Sequence, residues 1–352
     1  MSRFAGQGQG ARQLAGIALF AVVVACLPLV TSSGASLNFV MMALYATLIA
    51  QAWNILGGFG GQFSFGHALF FGTGAYIQAI AQLQGGINPW LALPLAVAGS
   101  AAVGLFVGGL SFRYGLKGSY FALVTLAFAE VFRIVALSVP FTGGGVGLMV
   151  PLRESVANMQ FATRAGSLWL VLGFVVTALL VTWWLRNGRF GAYLQAVRDN
   201  EDAARAVGVD PFRVKLAAIG ISGAFMGAAG AFYVQVFQYI DPAIAYGSVT
   251  SVEALVAAIV GGMGTLWGPV LGAVVLHVLA DLTRNLFGEL PGINMVIYGV
   301  VLVAIVIFLP RGIAGIGLSV RQLWAGSGGG DSGGKSGGKS GGKESGKGRR
   351  ND

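Results

Sequence analysis

Charge is what this chain has least of. Only 10% of its 352 residues are Asp, Glu, Lys or Arg, against ~25% in soluble domains. Cysteine is nearly missing. Cys26 stands alone, which excludes a disulfide framework and a cysteine-based zinc or iron–sulfur site. Two histidines, His67 and His277, are too few for a histidine-rich metal site. No metal and no cofactor are expected. Glycine, by contrast, is abundant at 57 residues. It follows no G-X-Y period, so a collagen-like rod is excluded. With 55% hydrophobic residues and a mean hydropathy of +0.76, a soluble globule of this size could not hide its apolar surface. The class that remains is an all-α polytopic membrane protein, embedded in a lipid bilayer.

A helix needs about 20 apolar residues to cross the hydrocarbon core. Such segments fall at 14–31, 37–57, 62–82, 90–110, 119–140, 167–186, 216–239, 251–264, 266–283 and 292–310. They predict about 8–10 transmembrane helices, because 251–264 and 266–283 are short and read either as two tilted spans or as a broken, re-entrant pair. Loop charge sets the orientation. With the N-terminus in the cytoplasm, 18 of the 22 basic residues lie inside or at the inner edge of a span. Arg153, Arg164 and Arg284 lie outside, and Arg133 lies within a span. This is the positive-inside bias, and it places both termini in the cytoplasm. The net charge of +9 is spread over loops with no basic helix face, so nucleic acid is not the implied partner. The first apolar segment reads as an uncleaved anchor, since it exceeds the ~7–15 residues of a signal-peptide core. A cleaved signal ending near Ser33-Gly34-Ala35 is the other reading.

The chain divides into a cytoplasmic N-terminus (1–13), a transmembrane domain (14–317) with one long cytoplasmic loop (187–215), and a Gly/Ser/Lys-rich tail (318–352) expected to be disordered. The tail matches the P-loop pattern at Gly329–Ser336 and Gly333–Ser340. No strand precedes either match and no helix follows, so ATP hydrolysis by this chain is not expected.

The loop 187–215 is the most informative polar segment. Asp199, Glu201 and Asp202 suit a helix N-terminus, Arg205 its last turn, and Gly208 the position beyond it, with Pro211 following. This predicts a helix of two turns near 200–207. So short a helix is marginal alone and needs a surface to pack on, in its own membrane domain or on a partner.

Two polar sites lie within apolar segments. Gln62, Ser64 and His67 sit among Gly57, Gly58, Gly60, Gly61, Gly66, Gly72 and Gly74. Such glycines permit close helix approach, or a helix break whose polar groups line a cavity and attract a zwitterion. Both readings stand. Glu130 and Arg133, spaced i, i+3, can meet on one helix face with Thr125 nearby. They form either a polar site for a zwitterion or a structural ion pair, and an interior-facing position is expected. Glu253 lies near the outer end of its segment, where it either faces a partner or is solvated, and His277 reads as a satisfied buried histidine. The ladder Gly264, Gly268 and Gly272, with the pairs Gly104/Gly108 and Gly223/Gly227, reads as packing.

A family resemblance rests on particular stretches. Asp202-Ala203-Ala204 followed by Gly208 resembles the EAA loop of ABC-importer permeases, with Asp202 where that motif has Glu. The run WNILGGFGGQFSFGHALFFGTGAY from Trp53 to Tyr76 resembles the glycine-rich signature of branched-chain amino acid permeases. LKGSYFALVTLAFAE from Leu116 to Glu130 resembles the LivM subtype, and TGGGVGL (142–148) and GGMGTLWGP (261–269) are similar to the same family. The resemblance implies a LivM-type permease subunit, not an enzyme, in a bacterial inner membrane. It also implies a LivH-like second permease, two ABC ATPase subunits and a periplasmic binding protein. The cargo would be a branched-chain or other apolar amino acid. Asp199, Glu201, Asp202, Ala203, Ala204, Arg205 and Gly208 would form the ATPase-coupling segment. Gln62, Ser64, His67, Thr125, Glu130 and Arg133 would line the pathway. Urea or a short amide is the rival cargo within the family, and a secondary transporter is the rival class. An intramembrane hydrolase using Ser64 and His67 lacks a third orienting group.

Overall fold

In lipid an apolar chain can satisfy its backbone polar groups only by coiling on itself, and this chain does so almost throughout. The computed structural model describes residues 2–31, 33–287, 296–297, 299–300, 303 and 312–314. Most of the expected span 292–310 and all of the 318–352 tail lie outside the described residues. Among the described residues twelve α-helices follow in order: α1 (Ser2–Val30), α2 (Gly34–Asn54), α3 (His67–Leu83), α4 (Pro89–Arg113), α5 (Gly118–Ser138), α6 (Arg164–Asn187), α7 (Arg189–Asp199), α8 (Glu201–Ala206), α9 (Pro211–Phe237), α10 (Pro242–Tyr246), α11 (Ser248–Gly261) and α12 (Gly268–Phe287). Two-residue strands, β1 (Leu148–Met149) and β2 (Tyr239–Ile240), pair antiparallel.

Seven stretches among the described residues are long and apolar enough to cross a membrane: α1, α2 with its C-terminal extension, α4, α5, α6, α9, and α10 with α11. The fold is the all-α polytopic architecture expected. Two expected segments change shape. The span expected at 62–82 begins as helix only at His67, because α2 runs on as a π-helical turn (Ile55–Phe59) and residues 62–66 are not helical. The segment expected at 251–264 is longer, since α10 and α11 together cover 242–261 with Gly247 at their joint.

Helix starts are written locally. Pro89, Pro211 and Pro242 each open a helix behind a side-chain cap. Asn88 accepts from Trp90 N–H, Asp210 from Phe212 and Arg213 N–H, and Asp241 from Ile244 N–H.

The buried centre is α2 and α9, while α1 is peripheral. α9 packs on α3 and α4, α2 on α6, and α11 on α12 and α2. Small residues bring these helices together. A Cβ on Gly74 would run into the Gly227 backbone of α9, and one on Gly272 into the Ala257 carbonyl of α11. Gly104, Gly108 and Gly223 are also at contacts tighter than or near van der Waals limits, so these pairs do pack helices. Gly264 instead lies in the α11–α12 turn with φ +72°. α1 is held to α6 by two tryptophans: Trp169 Nε1 donates to Ala25 O at 3.1 Å and Trp183 Nε1 to Gly10 O at 3.1 Å.

These contacts define two ends of the bundle. At one, the 84–88, 139–163 and 238–241 segments meet: Gln84 Nε2 donates to Phe141 O, Asn88 Nδ2 to Ala157 O, and β1 pairs with β2. At the other, α7 and α8 meet the ends of α6 and α9, the turn that ends α2, and Lys117 just before α5. Of the segments expected inside, 58–61, 111–118 and 187–215 meet at this second end.

Candidate functional site

The α2–α3 break is built from polar groups bonded to protein. His67 opens α3 and is fully buried. Its Nδ1 lies 3.1 Å from Ser64 Oγ and its Nε2 2.9 Å from Ser222 Oγ of α9. Ser222 donates onward to Ala52 O at 2.6 Å. A hydroxyl has one proton, so Ser222 accepts from His67, and Nε2 carries a proton. Ser251 Oγ of α11 accepts from Ala68 N–H at 2.7 Å, capping one donor at the start of α3. Trp53 Nε1 donates to Ser64 O, and Gln62 Nε2 to Gly60 O. Gln62 Oε1 is buried and has no hydrogen-bond partner among the described residues. Gly66 lies against the Thr125 carbonyl so closely that a Cβ has no room. Of the four buried candidates, Gln62, Ser64 and His67 therefore form one cluster, with Thr125 beside it.

Glu130 and Arg133 are elsewhere. They do meet: Arg133 Nε donates to Glu130 Oε2 at 2.8 Å and an Nη to Oε1 at 2.5 Å. The pair does not face the chain's own interior as expected. Its side chains are 51% and 31% exposed, whereas Thr125 is buried at 1%, so Thr125 does not share their face. A cavity of about 380 Å³ beside the pair is lined by Leu126, Ala129, Tyr246, Gly247 and Ser248. Glu253 is not a solvated helix end. It is half-buried within the α10–α11 span, and no described residue forms an ion pair with it. His277 is half-buried against the Phe39 ring.

The loop 187–215 holds two helices rather than one. Sequence reading expected α8 and missed α7, whose buried Gly191, Leu194 and Val197 pack inward. Asp199 ends α7, and Asn200 caps α8 by accepting from Asp202 and Ala203 N–H at 3.1 and 3.0 Å. Gly208 follows α8 with φ +86°, the left-handed conformation a C′ glycine supplies. Ala204 is buried, while Asp202, Ala203 and Arg205 are exposed. Glu201 turns back into the protein. It accepts from Lys215 Nζ of α9 at 2.8 Å and pairs with Lys117, just before α5, at 2.9 Å. Lys215 is 4% exposed and also lies over the Phe112 ring of α4. Burial pushes the Glu201 carboxyl up, and the Lys215 and Lys117 ammonium groups more than offset it, so its pKa falls below the ordinary glutamate value. One carboxylate thus joins α8 to α9 and α5.

Residues 35–306 match the model of the family described as branched-chain amino acid transport system / permease component. The chain belongs to that family. Its relatives include the high-affinity branched-chain amino acid transport system permease protein LivM of Salmonella typhimurium, 31% identical over 84% of this chain and 73% of the relative. LivM of Escherichia coli is 29% identical over the same shares. A probable LivH permease of Methanocaldococcus jannaschii is 27% identical over 69% of this chain and 80% of its own.

In this permease, sequence reasoning passed over Lys117, Arg198, Lys215, Ser222 and Ser251. Lys117, Lys215 and Ser222 are lone polar residues beside apolar ones, while Arg198 is one of a polar run and Ser251 follows Thr250. The available signal was the isolated Lys215 or Ser222 beside an apolar run, which must find a partner when buried.

Proposed function

We propose that this permease is the membrane-spanning subunit of an ABC importer, forming the pathway for branched-chain or other apolar amino acids while ATP is hydrolysed on partner subunits. The observation that carries this reading, beyond family membership, is α8. It is a two-turn helix pinned to the bundle by Glu201 and offering Asp202, Ala203, Arg205 and Val207 outward. Two turns of helix do not hold themselves, so the anchoring prepares a rigid foot for another protein. The basic loops gather at its end, which the positive-inside rule makes cytoplasmic. Partners are a LivH-like permease, two ABC ATPases and a periplasmic binding protein, in a bacterial inner membrane with both termini cytoplasmic.

The exposed Glu130–Arg133 pair supports a place for the pathway. A charge facing lipid at mid-bilayer costs roughly 2.5–3.5 kcal/mol or more. The α5 face that carries the pair therefore turns to water or to the second permease, and the adjoining cavity lies on that side. The buried group Gln62, Ser64, His67 and Thr125 then holds the break closed beneath it. The decisive experiment is reconstitution with the partner subunits in proteoliposomes. ATP-dependent uptake of leucine, outcompeted by isoleucine and not by urea, is the expected result. Ala203→Glu, on the exposed face of α8, should lower uptake by about tenfold or more while leaving the chain in the membrane. Undiminished uptake in that variant rejects the coupling role.

A further inference from the structure

Arg198 is the penultimate residue of α7, three positions before Glu201. Its guanidinium leaves the loop and enters the bundle. Nη1 donates to Gly58 O at 3.1 Å, across 140 residues of sequence, while Nε donates to Asp199 Oδ1 at 3.0 Å. Gly58 belongs to the π-helical turn that ends α2. Carbonyls at a helix end lack intrahelical donors and carry the negative end of the macrodipole. Two other carbonyls here are closed by the segment itself, with Gln62 N–H on Leu56 O and Gln62 Nε2 on Gly60 O. Gly58 O takes its donor from Arg198.

The surroundings are shaped to that side chain. Gly61 has φ +64°, and a Cβ there would strike Arg198 Cγ. Gly264, in the α11–α12 turn, leaves room for Nη1, where a Cβ would lie at 3.4 Å. The same turn is tied to α2, since Gly264 N–H donates to Asn54 Oδ1 at 2.7 Å and Asn54 Nδ2 donates to Thr265 O at 3.0 Å. Arg198 thus closes a junction of three segments: the end of α2, the α11–α12 turn and α7. Asn200, two residues on, caps α8. A shift of α8 has only Asn200 and Asp199 to absorb it before it pulls on Gly58.

We propose that Arg198 is the positioning residue that ties the α7–α8 module to the glycine-rich break, so that displacing α8 releases the break. This deepens the importer reading and rests on it for its purpose, though not for its mechanics. The mechanics are tested on the full-length chain in nanodiscs by hydrogen exchange. In Arg198→Met, amides between Gly60 and Gly66 should exchange roughly tenfold faster, the loss of one charge-assisted hydrogen bond, with the centre of α9 unchanged. Arg198→Lys should fall between, because an ammonium can make one of the two bonds. Gly61→Ala, which keeps the guanidinium but displaces its stem, should resemble Arg198→Met and decides the matter if that variant does not fold. Unchanged exchange in these variants overturns the proposal. Purpose is tested in the reconstituted complex. ATP hydrolysis should stay within about twofold of wild type while uptake per ATP falls about tenfold, separating transmission from catalysis. Faster exchange with unaltered uptake per ATP would reduce Arg198 to a helix cap and overturn its coupling role. A wild-type complex with no ATP-driven uptake would instead refute the importer reading, while the exchange result still judges the tie.

Discussion

Two acidic residues, Glu130 and Glu201, anchor ion pairs of opposite design. Glu130 meets Arg133 on its own helix, both side chains open to the surroundings. Among the described residues the pair is closed on itself. Glu201 is 16% exposed and draws in Lys117 and Lys215 from two other segments. It joins α8 to the neighbouring α9 and to the distant start of α5. The difference teaches what charge is for at each place. Within a span, where a lone charge is costly, neighbours on one helix neutralise each other before the fold is complete. At the end of the bundle, water helps to solvate the partners, and charge is free to act as a fastener between elements.

Substitutions sharpen this contrast. The largest effect is expected for Glu201→Gln and Lys215→Met. Glu201→Gln leaves the buried Lys215 ammonium without its counter-charge, and Lys215→Met leaves Glu201 only the exposed Lys117, at a cost of about 1–3 kcal/mol. α8 should detach, read as faster tryptic cleavage at Arg205, with ATP-driven uptake lowered about tenfold. Cleavage at the wild-type rate would show that the carboxylate fastens nothing. A middle effect is expected for Glu130→Gln or Arg133→Gln alone. Each strands its partner, so the KM for uptake should rise by about three- to tenfold with assembly intact. The double variant should be milder than either single one if the pair is only self-neutralising, and as severe if cargo touches it. Lys117→Met should do least, since its ammonium is 56% exposed and such pairs contribute about 0–1 kcal/mol.

Acidity offers a finer test. The folded pKa of Glu201 lies below its ordinary value of 4.5. The fastening is therefore complete above that value and is lost as pH falls through the lower folded one. A spin label at Val207, 79% exposed, should keep the same mobility from neutral pH down to about 5 and loosen only in stronger acid. Loosening near neutral pH would mean that the lysines do not hold the carboxylate.

Much of the loop 187–215 was legible. Acids in the first turn, Arg205 in the last turn, Gly208 and Pro211 place α8 to within a residue, because caps and turns are written in adjacent residues. α7 was missed because its apolar face is short: Leu194 and Val197 read as loop until α9 and the α2 turn cover them. The direction of Glu201 was also hidden. An acid in a first turn suits the helix dipole whether it faces outward or inward, and only the position of Lys215 decides which.

The apolar runs determined by themselves that this chain lies in a bilayer as helices, and loop charge separated its two ends, because both depend on how each stretch meets its solvent. The tertiary structure alone decided that Ser222 meets His67 from 155 residues away, that Ser251 caps α3 from 183 residues away, and that Arg198 closes the end of α2. A buried donor accepts any partner that geometry brings within reach, and that geometry is set by glycine contacts between helices rather than by the residues on either side of it.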